Sequence, residues 1–227
     1  FTLGGNGEAY GASTDTGAGW AYKADNGFAV SSNIGTKSTT TTTGVNSGIL
    51  TDETKTSWAT QVGYTQDNYS ASLIYNIKTN GWSDTYYHTA NHGGTAKANA
   101  GLGNFTSIGL RGWWRPEEAG TMVPSISVGY DTTEYDNATD ATDTSSAYFV
   151  GLNWSDMFQA DDKVGVAFGQ PTKGEDETSD PFAYEVYYSF KPNDSVTVTP
   201  AVFGGSDRNG TKNEDVFGYV LETTFKF

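Results

Sequence analysis

Apolar and polar positions alternate with a period of two along most of the chain, and eleven stretches carry that alternation clearly. They are Gly19–Asp25, Gly27–Ile34, Ser57–Gln66, Tyr69–Lys78, Asn104–Trp114, Thr121–Asp131, Ser146–Trp154, Lys163–Gln170, Phe182–Phe190, Ser195–Phe203 and Val216–Phe227. Successive side chains of a strand point to opposite faces, so a period of two predicts strands with one greasy face. In Tyr69–Lys78 that face holds Tyr69, Ala71, Leu73, Tyr75 and Ile77, and the other holds Ser70, Ser72, Asn76 and Lys78. The final stretch groups Phe217, Tyr219, Leu221, Phe225 and the terminal Phe227. A weaker twelfth strand is expected within Phe1–Tyr10. No repeat longer than a hairpin divides the chain, which reads as one all-β domain spanning 1–227.

A soluble sandwich buries one face and wets the other, so the alternation alone leaves a membrane barrel and a soluble all-β domain both open. The connections separate them. Short links (Asp25–Gly27, Gln66–Asn68, Arg115–Gly120, Ser155–Asp162, Lys191–Asp194) alternate strictly with long ones (Gly35–Thr56, Thr79–Gly103, Thr132–Ser145, Pro171–Pro181, Gly204–Asp215). Outer-membrane barrels have short periplasmic turns and longer external loops, whereas Greek-key sandwiches mix their connection lengths. Most stretches also reach the roughly 9–11 residues that a tilted strand needs to cross a bilayer. Aromatics gather near the ends of the greasy faces (Tyr64, Tyr69, Trp114, Tyr130, Trp154, Phe182, Phe190, Phe225), as interfacial girdles do. The pattern predicts an antiparallel transmembrane β-barrel of eleven or twelve visible strands. Pro124 and Pro200 fall inside predicted strands, where a missing ladder donor calls for a bulge or a strand start.

Composition narrows the function. No run approaches the roughly 20 apolar residues of a spanning helix, which excludes a helical membrane protein. With 13 Lys and Arg against 27 Asp and Glu, the formal charge is −14, which argues against a nucleic-acid partner and favours cations. There is no Cys, hence no thiolate or disulfide chemistry. Both His residues, His88 and His92, lie beside Gly93-Gly94 in one long connection, where their spacing does not align metal ligands; no metal or other cofactor is expected, and no catalytic residue. The chain starts at Phe1 without an initiating Met, so further strands are expected ahead of it in the full protein.

The residues Phe182-Ala183-Tyr184-Glu185-Val186-Tyr187-Tyr188, then Asn193-Asp194-Ser195-Val196-Thr197-Val198-Thr199-Pro200, a Gly/Asp/Asn-rich connection and a terminal Thr223-Thr224-Phe225-Lys226-Phe227 resemble the carboxyl end of cyanobacterial porins of the OprB-like family. That family is described as carbohydrate-selective, with members labelled iron-uptake porins. The resemblance covers Pro181–Phe227, and Pro200 matches the family's Thr-Pro strand. It implies a barrel of about sixteen strands, a homotrimer, and a water-filled pore in the outer membrane of a Gram-negative-type bacterium, specifically a cyanobacterium. The expected partners are the lipid bilayer and small hydrophilic solutes or inorganic ions. The alternative is a soluble or cell-surface all-β protein that binds glycans, an adhesin, with Trp82, Tyr86 and Tyr87 as its aromatic cluster.

Selectivity in a pore is set by charged groups on its wall. The pore-lining candidates, on the parity opposite the greasy face, are Arg111, Glu185, Glu222, Lys226, Lys78 and Lys23, with Lys163 on the same parity. Arg111 is expected either to reach into the lumen opposite Glu185 or Glu222 or to pair with a carboxylate within the wall. Acidic groups crowd the long connections: Asp131, Glu134, Asp136, Asp140 and Asp143; then Glu175, Asp176, Glu177 and Asp180; then Asp207, Glu214 and Asp215. They are expected to attract cations to one mouth as a solvated acidic surface, with calcium the ion such oxygens would suit.

Overall fold

The computed structural model describes residues 16–37, 54–79, 104–135, 144–175, 178–207 and 212–226. Over these residues the eleven alternating stretches form eleven strands: β1 (Thr16–Lys23), β2 (Phe28–Lys37), β3 (Lys55–Thr65), β4 (Tyr69–Lys78), β5 (Phe105–Trp114), β6 (Ser125–Tyr135), β7 (Thr144–Ser155), β8 (Lys163–Gly174), β9 (Phe182–Asn193), β10 (Val196–Ser206) and β11 (Val216–Phe225). Each pairs antiparallel with the next, giving one meander in the order β1 to β11. Among the described residues β1 and β11 each have one neighbour, so the wall has two edges. The expected twelfth strand at Phe1–Tyr10 lies outside the described residues.

Register makes the two faces continuous. One row runs Tyr22, Val30, Val62, Leu73, Leu110, Tyr130, Tyr148 across β1 to β7. The adjacent row on the other face runs Ala29, Gly63, Ser72, Arg111, Gly129, Phe149, Gly169, Ala183, Gly205 across β2 to β10. A slip of one residue would exchange the faces, so the apolar pattern itself pins the pairing. The greasy face stays open: Trp58 is 54% exposed and Tyr75 42%. Apart from Ile74 and Phe105, the buried residues are polar or small, and they belong mostly to the opposite face, among them Asn76, Ser107, Asp131, Thr133 and Ala147. This is the inverse of a soluble domain, whose apolar face is the covered one.

The two prolines find places that need no ladder donor. Pro124 precedes β6 and is not part of it. Pro200 pairs with Leu221 on β11 at a point where the β9–β10 ladder lapses, between Val198↔Phe190 and Ala201↔Tyr187; there Thr199 Oγ1 donates to Ser189 Oγ at 2.9 Å.

The short connections lie together at one end of the wall, and neighbouring turns are bonded to each other. Gln66 Nε2 of the β3–β4 turn donates to Asn26 O of the β1–β2 turn at 2.8 Å. Arg115 Nε, just past β5, donates to Asp67 O at 2.9 Å. Gly120 N donates to Ser155 O at 2.9 Å, and the Trp154 indole donates to Met122 O at 2.9 Å. Lys191 on β9 reaches Asp161 of the β7–β8 turn at 3.2 Å. At the other end, β8–β9 and β10–β11 are joined through Asp207, which accepts from Asp180 N and Asn213 N, both at 2.7 Å.

Candidate functional site

The face opposite the greasy one is the only candidate surface of broad extent among the described residues, and it is built from small side chains for a geometric reason. Three of its larger rings lie over a glycine directly across the ladder: Phe149 over Gly129, Tyr187 over Gly165 and Phe203 over Gly218. A Cβ on Gly129 would stand 2.2 Å from the Phe149 ring, and one on Gly165 would stand 2.0 Å from that of Tyr187. Each glycine therefore lets a ring lie down along the wall instead of standing away from it. The Tyr187 hydroxyl is fixed in turn by Asn153 Nδ2 at 2.6 Å.

The charged candidates take different positions on this face. Arg111 forms a two-pronged ion pair with Asp131, Nη1–Oδ1 and Nη2–Oδ2 both at 2.7 Å, with its guanidinium 5.4 Å from the centre of the Phe149 ring. Gly129 is the cross-strand partner of Arg111, and Asp131 stands two residues further along the same face of β6. The pair is a wall contact, not a lumenal bridge to Glu185 or Glu222, which lie on β9 and β11. The Asp131 side chain is fully buried and that of Arg111 is 26% exposed. Asp131 and Glu134, read from the sequence as part of a loop cluster, are strand residues, because β6 runs on to Tyr135.

Lys78 ends β4 at the long-connection end, 1% exposed, with its ammonium 5.7 Å from the Phe105 ring centre. Lys23 ends β1 at the short-turn end and is exposed, as is Lys163 at the start of β8. Glu222 is exposed on edge strand β11 opposite Thr199, and Lys226, just beyond it, donates its backbone N–H to Ser195 O at 2.8 Å. Glu185 stands directly across from Phe203 on β10 and Ala167 on β8, is 9% exposed, and hydrogen-bonds no described residue. Glu175 follows β8, its N–H donating to Thr144 O at 2.9 Å. Asp136, Asp140, Asp143, Asp176, Glu177, and the pair His88 and His92, lie outside the described residues.

Sequence reading missed two features of this face: the partner of Arg111 and the three rings laid on glycine. The rings were visible as aromatics on the polar parity of Ser146–Trp154, Phe182–Phe190 and Ser195–Phe203. What they lie against needed the register.

No family model matches this chain and no curated protein matches it. Among solved structures, OprB of Pseudomonas putida at high pH superposes with a TM-score of 0.58 at 15% identity, covering 93% of this chain and 58% of that one. The KdgM porin, solved in complex with disordered oligogalacturonate, gives a TM-score of 0.36 at 13% identity, covering 93% of this chain and 91% of that one. The chain thus spans 58% of the length of the OprB structure it resembles. With its eleven-stranded meander, outward apolar face and small-residue inner face, it has the fold of an outer-membrane porin-like β-barrel wall.

Proposed function

We propose that this chain forms the greater part of an outer-membrane porin, a water-filled channel for passive diffusion of small hydrophilic solutes or inorganic ions with a preference for cations. The observation that carries this reading is the inverted burial: large apolar side chains exposed in register across the wall on one face, small and polar groups on the other. Exposed apolar area on that scale needs lipid to cover it, which leaves a soluble glycan-binding protein without a way to cover its rings. The bilayer is then the first partner, the short turns face the periplasm, the long connections face outward, and the protein is a channel, not an enzyme. The terminal residues Pro181–Phe227 support placing it among the OprB-like porins of cyanobacteria, assembled as homotrimers.

The cation preference rests on the excess of acidic groups, 27 Asp and Glu against 13 Lys and Arg, although Lys23 and Lys163 stand exposed on the inner parity. Arg111 is matched by Asp131, and Lys78 is buried, so neither presents a free cation to the lumen. Glu185 hydrogen-bonds no described residue, and the long connections carry many carboxylates, of which Asp180 is itself bound by Lys173 at 2.6 Å. Single-channel conductance of the detergent-extracted protein in a planar bilayer tests the channel: stable steps support it, and a protein that needs no detergent and gives no steps sinks it. Reversal potentials in a salt gradient test the preference. Glu185→Gln is expected to lower the cation-to-anion permeability ratio, while a native channel that prefers anions would refute the selectivity.

A further inference from the structure

At the short-turn end, two neighbouring turns carry apolar side chains that the β-strand pattern does not require. Met122 is 80% exposed and Val123 50% in the β5–β6 connection, and Phe158 is 73% exposed in the β7–β8 turn. The turn bearing Phe158 is held rigidly. The Asp162 carboxylate, itself fully covered, accepts the N–H groups of Met157, Phe158 and Gln159 at 2.7, 3.0 and 3.1 Å, and the Tyr188 hydroxyl at 3.1 Å. Asp156 and Asp161 take left-handed φ values of 56° and 64°, and Asp161 N donates to Asp156 Oδ1 at 2.6 Å. Non-glycine residues hold such values where surrounding bonds over-determine them. A rigid turn that presents a phenyl ring to its surroundings has already met the ordering cost of a contact surface.

The direction of that ring identifies what it meets. Phe158 packs edge-on against Tyr188 at 5.9 Å, and Tyr188 stacks on Phe190 at 5.4 Å. Tyr188 lies across from Val164, which pairs with Trp154, so both turns adjoin the outward apolar face. The Trp154 indole bonds the backbone of Met122 from that same face. The apolar band therefore continues past the ends of β7 and β9 onto Phe158, and the backbone of Met122, whose side chain is exposed, is tied to it through Trp154. Aromatic and amphipathic side chains at that level occupy the boundary between headgroups and acyl chains.

We propose that the β5–β6 and β7–β8 turns form a preorganised foot, with Met122 and Phe158 as its contacts, that seats in the periplasmic leaflet's phospholipid interface instead of standing in the periplasm. The proposal rests on the porin reading above and goes beyond it, since turns of a barrel need not touch lipid. The chain has no Cys, so single nitroxide labels can be placed at Met122→Cys and Phe158→Cys in the full chain, reconstituted in phosphatidylcholine vesicles. Leu73→Cys, on the outward face of β4, marks lipid, and Glu118→Cys, in the same β5–β6 connection, marks water. Relaxation by oxygen and by a water-soluble nickel chelate is measured at each. The expected result is an oxygen-to-nickel accessibility ratio at 122 and 158 that approaches that of 73 and stands clear of 118. If 122 and 158 match 118 while 73 reports lipid, the foot is wrong and the barrel survives. Shielding of 122 and 158 from both reagents would mean a protein contact and would equally overturn it. If 73 itself reports water, the porin reading falls and the foot with it.

Discussion

The two ends of the wall are held together by different means. At the short-turn end, cohesion is local and runs from turn to turn: Gln66 to Asn26, Arg115 to Asp67, Gly120 to Ser155, Lys191 to Asp161. Towards the long-connection end it passes to side chains that bridge neighbouring strands. Ser57 Oγ donates to Asn76 Oδ1 at 3.1 Å, Ser107 and Thr133 share a hydroxyl bond at 2.8 Å, and Arg111 grips Asp131. A turn of two or three residues fixes register by its own geometry. The three bridging pairs lie within the hairpins β3–β4 and β5–β6, towards the ends remote from their short connections, so they hold each hairpin together where its turn acts least. On the porin reading the outer face meets lipid, so those pairs have to sit on the inner face, where they do.

The largest effect is expected from breaking the strand-bridging means of cohesion at its strongest point. Asp131→Ala leaves the Arg111 guanidinium in the wall without its carboxylate, and removing one partner of a buried pair costs about 3–5 kcal/mol. Urea unfolding of the protein in lipid vesicles, followed by Trp fluorescence, measures it. A loss below about 1 kcal/mol, the range of exposed surface pairs, would mean that Arg111–Asp131 does not carry the cohesion assigned to it.

Next comes the turn-based end. Gly27 has φ +93°, and a Cβ there would stand 2.1 Å from Thr65 O. Gly27→Ala therefore combines an unfavourable backbone region with a clash against a neighbouring strand, and is expected to cost about 1–3 kcal/mol in the same assay. Gly151→Ala is the control, because its Cβ would meet nothing nearer than 3.8 Å. Equal behaviour of the two variants would show that the turn geometry is not what holds this end.

Smaller changes should separate the ends one bond at a time. Ser107→Ala removes a cross-strand hydroxyl bond, and Arg115→Lys removes the Nε donor to Asp67 O while keeping the charge. Each is expected to cost about 1 kcal/mol. Hydrogen exchange should localise the loss to β5–β6 in the first case and to the β3–β4 and β5–β6 turns in the second. Loosening spread over the whole wall in either variant would contradict the division.

The same division explains what was legible in the sequence. At the short-turn ends, Trp114, Tyr69, Lys163 and Phe28 end or begin strands at or within a residue of expectation, whereas β1 stops at Lys23 and not Asp25, β6 begins at Ser125 and not Thr121, and β9 runs past Phe190 to Asn193. The far ends were read short. β2 runs on from Ile34 to Lys37, β6 from Asp131 to Tyr135, β8 from Gln170 to Gly174 and β10 from Phe203 to Ser206. Beyond the apolar band both faces of a strand are polar, so alternation fades while the ladder continues. That is also why the partner of Arg111 was not legible. Asp131 is both the last residue of a predicted strand and the first of an acidic cluster, and only the Arg111↔Gly129 register shows that it stands beside Arg111 on the inner face. The face on which Glu185 stands was legible, because its parity within Phe182–Phe190 is unambiguous.

Acid offers the finest comparison, because among the described residues each end has one carboxylate that receives two or more backbone amides. Burial works to raise the Asp162 carboxyl, but the amides of Met157, Phe158 and Gln159 and the Tyr188 hydroxyl outweigh it and hold the group below its ordinary 3.8. At the other end, the amides of Asp180 and Asn213 hold Asp207 below 3.8 against its burial, with Lys212 and Lys173 assisting. A carboxyl whose folded value is depressed adds stability that is present in full above its unfolded value and is lost as pH falls from there towards the folded one. Both sites should therefore be unaffected above 3.8 and loosen below it, but with different reach. Around Asp162 the other turn-to-turn bonds persist, so loss of amide protection, normalised to intrinsic exchange, should stay within residues 157–159. Asp207 is the link between two connections, so Asp180 and Asn213 should lose protection together. Asp207→Asn should remove that joint acid step and leave residues 157–159 unchanged. If Asp180 and Asn213 open at separate pH values in the native protein, no single carboxylate holds them, and the outer end is tied by something other than Asp207.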